Sequence, residues 1–152
     1  MADGQREINA FLVEAFNRIL RREQRALRQG AWSELSLSEL HVLEAIGVSA
    51  WERSMKDVAE SLEVTTGTLT VAVSTLERKG YVARRRDTQD KRRVLLSLTD
   101  RGKQAFQWHA QFHHDMVAAI VSHLSEPETA VLVRALAAVN RYFVQEATPK
   151  QR

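Results

Sequence analysis

The chain has 152 residues, of which 44% are hydrophobic and 27% are charged, a balance typical of a folded domain rather than of a disordered chain. It contains no cysteine, which excludes disulfides and thiolate metal ligands, and its formal net charge is +3. No apolar run reaches the length of a membrane span and the first residues are polar, so we expect a soluble, cytoplasmic protein.

Two helices are predicted in the first third of the chain. Apolar residues recur at helical spacing from Ile8 and predict a long amphipathic helix that reaches about Gln29. Ser36 followed three residues later by Glu39 has the spacing of a capping box, which predicts a second helix that stops near Gly47.

Two further helices follow closely and form a helix-turn-helix pattern. Ser54 is expected to cap a short third helix, and Thr65 to cap a fourth helix that runs to Lys79. Gly80 is suited to a left-handed residue at the end of that fourth helix.

The residue pattern then changes from helical to extended. Residues 81–86 and 93–98 are rich in β-formers and flank a polar stretch at 87–91, which predicts a hairpin with a long charged tip. Thr99 is expected to begin a fifth helix that runs to about Leu124. The fold class is therefore mainly α with a small β-hairpin wing, a winged helix-turn-helix.

The last predicted helix has Pro127 in its first turn and continues to about Gln145. Its residues are apolar nearly all round, so it must be covered on more than one side. Since a chain this short has little spare surface for that purpose, we expect a homodimer built from the terminal helices.

The hairpin and the fourth helix are the predicted DNA-binding elements. Threonine is a poor helix former, so the run Thr65-Thr-Gly-Thr-Leu-Thr70 is a costly choice for a plain surface, whereas small hydroxyls suit close approach to phosphates and base edges. Basic residues concentrate around the hairpin, as expected of a loop that binds a polyanion. The predicted DNA-binding residues are Ser54, Thr65, Thr66, Gly67, Thr68, Thr70, Ser74, Arg86, Asp90, Lys91, Arg92 and Arg93.

Within the hairpin, Arg92 at the tip is the candidate for insertion into the minor groove. Arg86, Lys91 and Arg93 are better assigned to phosphates. Asp90, two residues before Arg92, is expected to fix the direction of that arginine by a charge-assisted hydrogen bond. A dimer would present two such units, so the target should be a pseudo-palindromic double-stranded DNA read in successive major grooves.

The motifs LERKGYV (76–82) and LSLTDRG (96–102), with the hairpin tip between them, resemble the MarR family of bacterial transcription regulators. The resemblance implies a homodimer with one winged-helix lobe in each subunit and a ligand pocket between that lobe and the dimer helices. It divides a single MarR-type domain, 1–152, into a DNA-binding lobe at 36–99 and dimerisation helices at 5–35 and 100–146.

Segments 8–20, 35–47, 65–82 and 108–117 are similar to the branch of this family that represses fatty-acid biosynthesis. This resemblance implies a long-chain acyl group, carried on acyl carrier protein, as the effector. A regulator of another small apolar ligand is a further alternative. The expected pocket residues are Phe11, Phe16, Leu40, His41, Phe106, His109, Phe112, His113 and Met116.

A histidine cluster leaves the effector open. On the fifth helix His109 and His113 are one turn apart on the inward stripe, whereas His114 lies off it. Glu23, His41, His109 and His113 match the ligand pattern of the zinc-responsive branch of the family, which makes zinc a possible cofactor. The competing interpretation is a hydrogen-bonded polar cluster beneath a hydrophobic pocket.

The sequence gives little support to an enzyme. It has no cysteine nucleophile, no glycine-rich phosphate loop and no GxSxG motif. We therefore predict a transcriptional repressor without a catalytic residue.

Overall fold

The computed structural model describes the backbone of residues 3–147 and the side chains of residues 3–144, so the two ends of the predicted 1–152 domain lie outside the described residues. The elements in chain order are α1 (Asp3–Gln29), α2 (Leu37–Gly47), β1 (Arg53–Ser54), α3 (Met55–Ser61), α4 (Thr66–Arg78), β2 (Val82–Arg86), β3 (Val94–Leu98), α5 (Asp100–Val121) and α6 (Glu126–Ala147).

The predicted helix caps of α2, α3 and α4 are confirmed. The Ser36 hydroxyl accepts from the Glu39 amide at 3.2 Å, and the Glu39 carboxylate accepts from the Ser36 amide at 2.7 Å, which is a complete capping box. The hydroxyls of Ser54 and Thr65 each accept the amide three residues on, both at 3.1 Å. Each cap satisfies an amide that would otherwise have no partner at the start of its helix.

The end of α4 has the predicted glycine. Gly80 has φ of 80°, a conformation that side chains with a Cβ adopt at a cost. This turn lets the Tyr81 amide donate to the Leu76 carbonyl at 2.9 Å and directs the chain into the hairpin.

The sheet has three antiparallel strands in the order β1-β3-β2, with β3 in the centre. The predicted hairpin is confirmed, with Val82 opposite Leu98 and Arg86 opposite Val94. β1 was not predicted, and it pairs Arg53 with Leu96.

Contacts within the chain divide it into two compact units, residues 1–109 and 110–152. The core of the first unit is built from side chains of α2, α3, α4, the sheet and the first half of α5, together with Leu27 of α1. Its largest fully buried members are Leu40, Leu43, Val58, Leu69, Val73, Leu76, Tyr81, Leu96 and His109.

α5 approaches the hairpin at a glycine. A Cβ added to Gly102 would lie 2.1 Å from the carbonyl oxygen of Tyr81, so no larger residue fits without movement of the backbone. The Thr99 hydroxyl accepts the Gly102 amide at 3.1 Å and donates to the Gly80 carbonyl at 2.7 Å. The predicted start of the fifth helix is confirmed, and α5 ends at Val121 rather than near Leu124.

Tyr81 links the segment between α1 and α2 to the end of α4. Its hydroxyl donates to the Glu34 carboxylate, and the Arg101 guanidinium lies 4.6 Å from the centre of its ring. Burial, together with the bond to Glu34, raises the pKa of Tyr81 to about 12. Beside it, the Lys79 ammonium donates to the Glu34 carbonyl at 2.7 Å and to the Glu39 carboxylate at 2.8 Å.

The second unit comprises the rest of α5 and all of α6. α6 begins at Glu126, so Pro127 lies in its first turn as predicted. Many of its apolar side chains are exposed in the single chain, among them Val131, Val133, Leu136, Tyr142, Phe143 and Val144. No helix in the described part of the chain is long and apolar enough to span a membrane.

Candidate nucleic-acid interface

The exposed start of α4 carries the threonine run. Thr66, Gly67 and Thr70 are exposed, and a Cβ added at Gly67 would meet nothing closer than the Thr65 hydroxyl at 3.7 Å. The Thr65 and Thr68 hydroxyls lie 3.0 Å apart, and the Thr70 hydroxyl donates to the Thr66 carbonyl at 2.7 Å. The exposed surface here is therefore small and polar, and it lies at the N-terminal end of α4, where the helix favours a phosphate.

Two other predicted DNA-binding residues of the helix-turn-helix, Ser54 and Ser74, are less exposed to solvent. Ser54 is only 5% exposed, because its hydroxyl serves as the cap of α3. Ser74 is half-buried and lies 3.4 Å from the Arg84 guanidinium.

The hairpin tip is ordered by short-range bonds. The Asp90 carboxylate accepts the backbone amide of Arg92 at 3.0 Å, and the Arg93 amide donates to the Asp90 carbonyl at 2.9 Å. The expected charge-assisted hydrogen bond between Asp90 and Arg92 is therefore present, and its donor is the backbone amide of Arg92. Asp90 shapes the turn, while the side chains of Lys91 and Arg92 are exposed.

Arg93 connects the hairpin to α3. Its guanidinium lies 3.7 Å from the Asp87 carboxylate and 4.0 Å from that of Asp57. The pKa of Asp57 is lowered, first by the hydrogen bond with Ser54 and further by the nearby arginines. Arg93 is thus held between two carboxylates at the base of the hairpin.

Two arginines of β2 have partners of their own. Arg84 pairs with Glu77 at 2.6 Å, and Arg85 makes a two-point ion pair with Glu52 that raises the pKa of the guanidinium. These pairs tie β2 to α4 and to the loop before β1. Arg86, the third of the run, is exposed.

An open groove of about 650 Å³ joins the starts of α3 and α4 to the hairpin. It brings predicted residues from all three elements together. Its lining residues are Ser54, Met55, Lys56, Asp57, Thr66, Arg92, Arg93 and Val94. Lys56 was missed in the sequence, although a lysine in the first turn of the helix-turn-helix, next to the cap, was a usable signal.

A separate polar cluster lies inside the first unit. Glu23 of α1 and His109 of α5 are both buried, with Glu23 Oε1 and His109 Nε2 3.2 Å apart. His41 of α2 completes the cluster, and one ligand atom from each residue lies within 4.8 Å of the others. Glu44, which sequence reasoning missed, lies 3.7 Å from the second ring nitrogen of His109. The position of Glu44 one turn after His41 on α2 was the available signal.

The predicted pocket residues are distributed over both units. Leu40 is in the core of the first unit, Phe106 is half-buried there, and Phe11 and Phe16 are exposed on α1. Phe106 also lines an open cavity of about 490 Å³ near Gly47 and Trp51. Phe112, His113 and Met116 are half-buried residues of the second unit, where the rings of Phe112 and His113 meet edge to face at 5.5 Å.

Comparison with known proteins agrees with this geometry. Residues 38–117 match the family model described as a winged helix DNA-binding domain. The fold is similar to the crystal structure of Streptococcus pneumoniae FabT in complex with DNA, with a TM-score of 0.89 and 37% identity over 94% of this chain and 99% of that one. It is also similar in fold to a Staphylococcus aureus MepR–DNA complex, with a TM-score of 0.69 and 22% identity over 89% of this chain and 97% of that one.

Curated relatives match over shorter stretches. The HTH-type transcriptional repressor YetL of Bacillus subtilis is 31% identical over 83 residues, which are 55% of this chain and 50% of YetL. SarZ of Staphylococcus epidermidis is 44% identical over 50 residues, which are 33% of this chain and 34% of SarZ. The chain thus spans half or less of these two relatives. The relatives are transcriptional regulators and not enzymes, and this chain belongs to the winged-helix DNA-binding family as a MarR-type transcriptional regulator.

Proposed function

We propose that the protein is a homodimeric repressor that binds a pseudo-palindromic operator through α4 and the hairpin. The observation that carries this proposal is the groove in which the starts of α3 and α4 meet the exposed tip of the hairpin. α4 presents a small, hydroxyl-rich surface suited to the major groove. Arg92 is the side chain that reaches the minor groove, and Arg86 and Lys91 contact phosphates.

The homodimer is supported by apolar side chains that the single chain leaves exposed. In the first unit these lie in the first half of α1, and in the second they lie on α5 and α6. They include Ile8, Phe11, Leu12, Val13, Phe16, Val117, Ile120, Val121, Val131, Leu136 and Tyr142. Apolar patches rimmed by polar residues mark protein interfaces, and a second copy of the chain offers the same patches in return.

The regulated process that we propose is fatty-acid biosynthesis, with a long-chain acyl group on acyl carrier protein as the effector. This is supported by the similarity to FabT across nearly the whole chain and by the resemblance of the sequence to the acyl-responsive branch. The effector changes operator affinity only insofar as it prefers one arrangement of the two DNA-binding lobes over the other.

A zinc-responsive repressor is the second candidate, favoured by the cluster of Glu23, His41 and His109. Two imidazoles and a carboxylate suit zinc. Glu44 beside the other nitrogen of His109 resembles the carboxylate that commonly orients a zinc-bound histidine. These residues would hold the ion, and the ion would supply a link between α1, α2 and α5.

One titration separates the two candidates. Operator affinity of the purified protein is measured with palmitoyl-acyl carrier protein, with Zn²⁺, and with neither. The acyl proposal expects a change with the acyl carrier and none with zinc. The zinc candidate expects the reverse, and expects His109→Ala to abolish the response. If neither addition changes operator affinity, both effector assignments fail while DNA binding stands.

Native mass spectrometry of protein purified from cells gives an independent readout, since it detects a bound metal or acyl species directly.

A further inference from the structure

The second half of α1 carries a row of arginines that the DNA-binding groove does not use. They recur at intervals of three and four residues, so they share one face over about 15 Å of helix. All of them are exposed. This arginine face consists of Arg18, Arg21, Arg22, Arg25 and Arg28.

The opposite face of the same helix is the buried one. Glu23 and Leu27 point inward there, and Glu23 is engaged with His109. The carboxylate nearest to the arginines in sequence is therefore unavailable to them. Of the arginine face, Arg18 pairs with Glu14 at 2.9 Å, and no ion pair with a carboxylate is found for the others within the described part of the chain.

The arginine face does not stabilise α1. Like charges three or four residues apart destabilise a helix by about 0.2–0.5 kcal/mol for each pair. The row contains several such pairs, for example Arg18 with Arg22 and Arg21 with Arg25. A row of this kind is explained more simply by an external anion than by the stability of α1.

The end of α1 is attached to the end of α4 that is farther from the threonine run. The segment after α1 is held there by the bonds of Lys79 and Tyr81 to Glu34. α4 has 13 residues, so its two ends are about 20 Å apart. This location favours a partner other than the operator DNA bound at the start of α4.

We propose that the arginine face binds the acidic surface of a protein partner. Resting on the proposed function, that partner is the acyl carrier protein, a small acidic protein, which must dock on the regulator while its acyl chain enters. Guanidinium groups bind carboxylates at two points, and a row of them matches an acidic helix. The Glu23–His41–His109 cluster lies on the inner side of the same helix, about 10 Å across it. A carrier on the outer side would therefore hold its cargo near that cluster.

The test uses the full chain with Arg22→Glu and Arg25→Glu together. The matched control is Arg78→Glu with Arg134→Glu, which changes the net charge equally at exposed positions on α4 and α6. Binding of palmitoyl-acyl carrier protein is measured by titration, alongside palmitoyl-pantetheine, a neutral acyl thioester without the carrier. We expect the test variant to lose at least tenfold in affinity for the carrier and the control to lose little. Effector-free operator binding, dimerisation and the response to palmitoyl-pantetheine should match those of the unmodified chain.

Each alternative outcome is distinct. If the test variant binds the carrier as the control does, the docking proposal fails and the acyl effector stands. If neither acyl compound alters operator binding by the unmodified chain, the proposed effector fails and the docking proposal with it. A test variant that loses effector-free operator affinity would assign the arginine face to DNA, and one that loses only binding to anionic phospholipid vesicles would assign it to a membrane. Either result overturns the proposal.

Discussion

Glu23 and His109 lie 86 positions apart in the sequence, and their side chains meet at 3.2 Å in the interior of the first unit. Both are nearly inaccessible to solvent, at 4% and 2% exposure. This contact joins α1 to α5, and removal of one partner leaves a buried polar group with fewer bonds.

We therefore expect His109→Ala to lower the free energy of unfolding by roughly 2–4 kcal/mol. His114→Ala, at an exposed position on the same helix, is the control and should change it by less than about 0.5 kcal/mol. Chemical denaturation measures the free energy of unfolding of both variants. Equal stability of the two would show that the Glu23–His109 contact contributes little.

The exposed tip of the hairpin gives a prediction about DNA affinity. Arg92→Ala should weaken operator binding by about 1–3 kcal/mol, because the side chain is free to enter the minor groove. Arg78→Ala, at the other end of α4, should have a much smaller effect. Fluorescence anisotropy with an operator duplex measures the affinity, and light scattering checks that the dimer is retained. If Arg92→Ala binds the operator as tightly as Arg78→Ala does, the hairpin tip is not part of the DNA interface.

Substitution of Gly67 by alanine tests whether α4 contacts DNA without destabilising the fold. A Cβ at this position meets only ordinary contacts, so Gly67→Ala should leave the fold intact or stabilise it by about 0.5–1 kcal/mol through helix propensity. If the backbone of α4 lies close to DNA at Gly67, the same change should reduce operator affinity. Gly102→Ala is the contrasting control, since its Cβ would collide with the Tyr81 carbonyl and destabilise the fold. Unchanged operator affinity in Gly67→Ala would argue against close approach at this position.

The raised pKa of Tyr81 predicts how the stability of the fold changes with pH in the alkaline range. Its pKa is raised from its ordinary value near 10 to about 12, so the folded state holds the phenol proton more tightly than the unfolded state. The resulting stability is fully present below pH 10 and is lost as the pH rises toward 12. The unmodified chain should thus be more stable than Tyr81→Phe at neutral pH, and the difference should shrink over this range. A difference in the free energy of unfolding that stays constant or grows would contradict the assignment.

The parts of the fold set by neighbouring residues were predictable. Ser36 with Glu39, Ser54, Thr65 and Gly80 act on backbone groups within a few residues, and their caps and turns were read directly from the sequence. β1 was missed because a two-residue strand has no alternating pattern and exists only through its pairing with β3.

The parts of the site set by distant contacts were less predictable. A bond between Asp90 and Arg92 was expected from their spacing, but spacing does not tell whether a carboxylate meets a side chain or a backbone amide, and here the carboxylate accepts the amide. The partners of Arg84 and Arg85 come from other elements, so the basic run in the sequence overstated the charge available to DNA. The grouping of Glu23 with His41 and His109 came from family resemblance rather than from spacing.

Specific recognition of an operator is the central claim, and competition binding tests it most directly. The protein is bound to a labelled duplex from the promoter of its own gene at physiological salt, and is then challenged with unlabelled promoter or with a scrambled duplex of equal length. We expect the promoter to compete at least about a thousandfold better than the scrambled duplex, as is typical of specific regulators. Equal competition by the two duplexes would mean that the groove and the hairpin bind DNA only as a polyanion, and would contradict the claim.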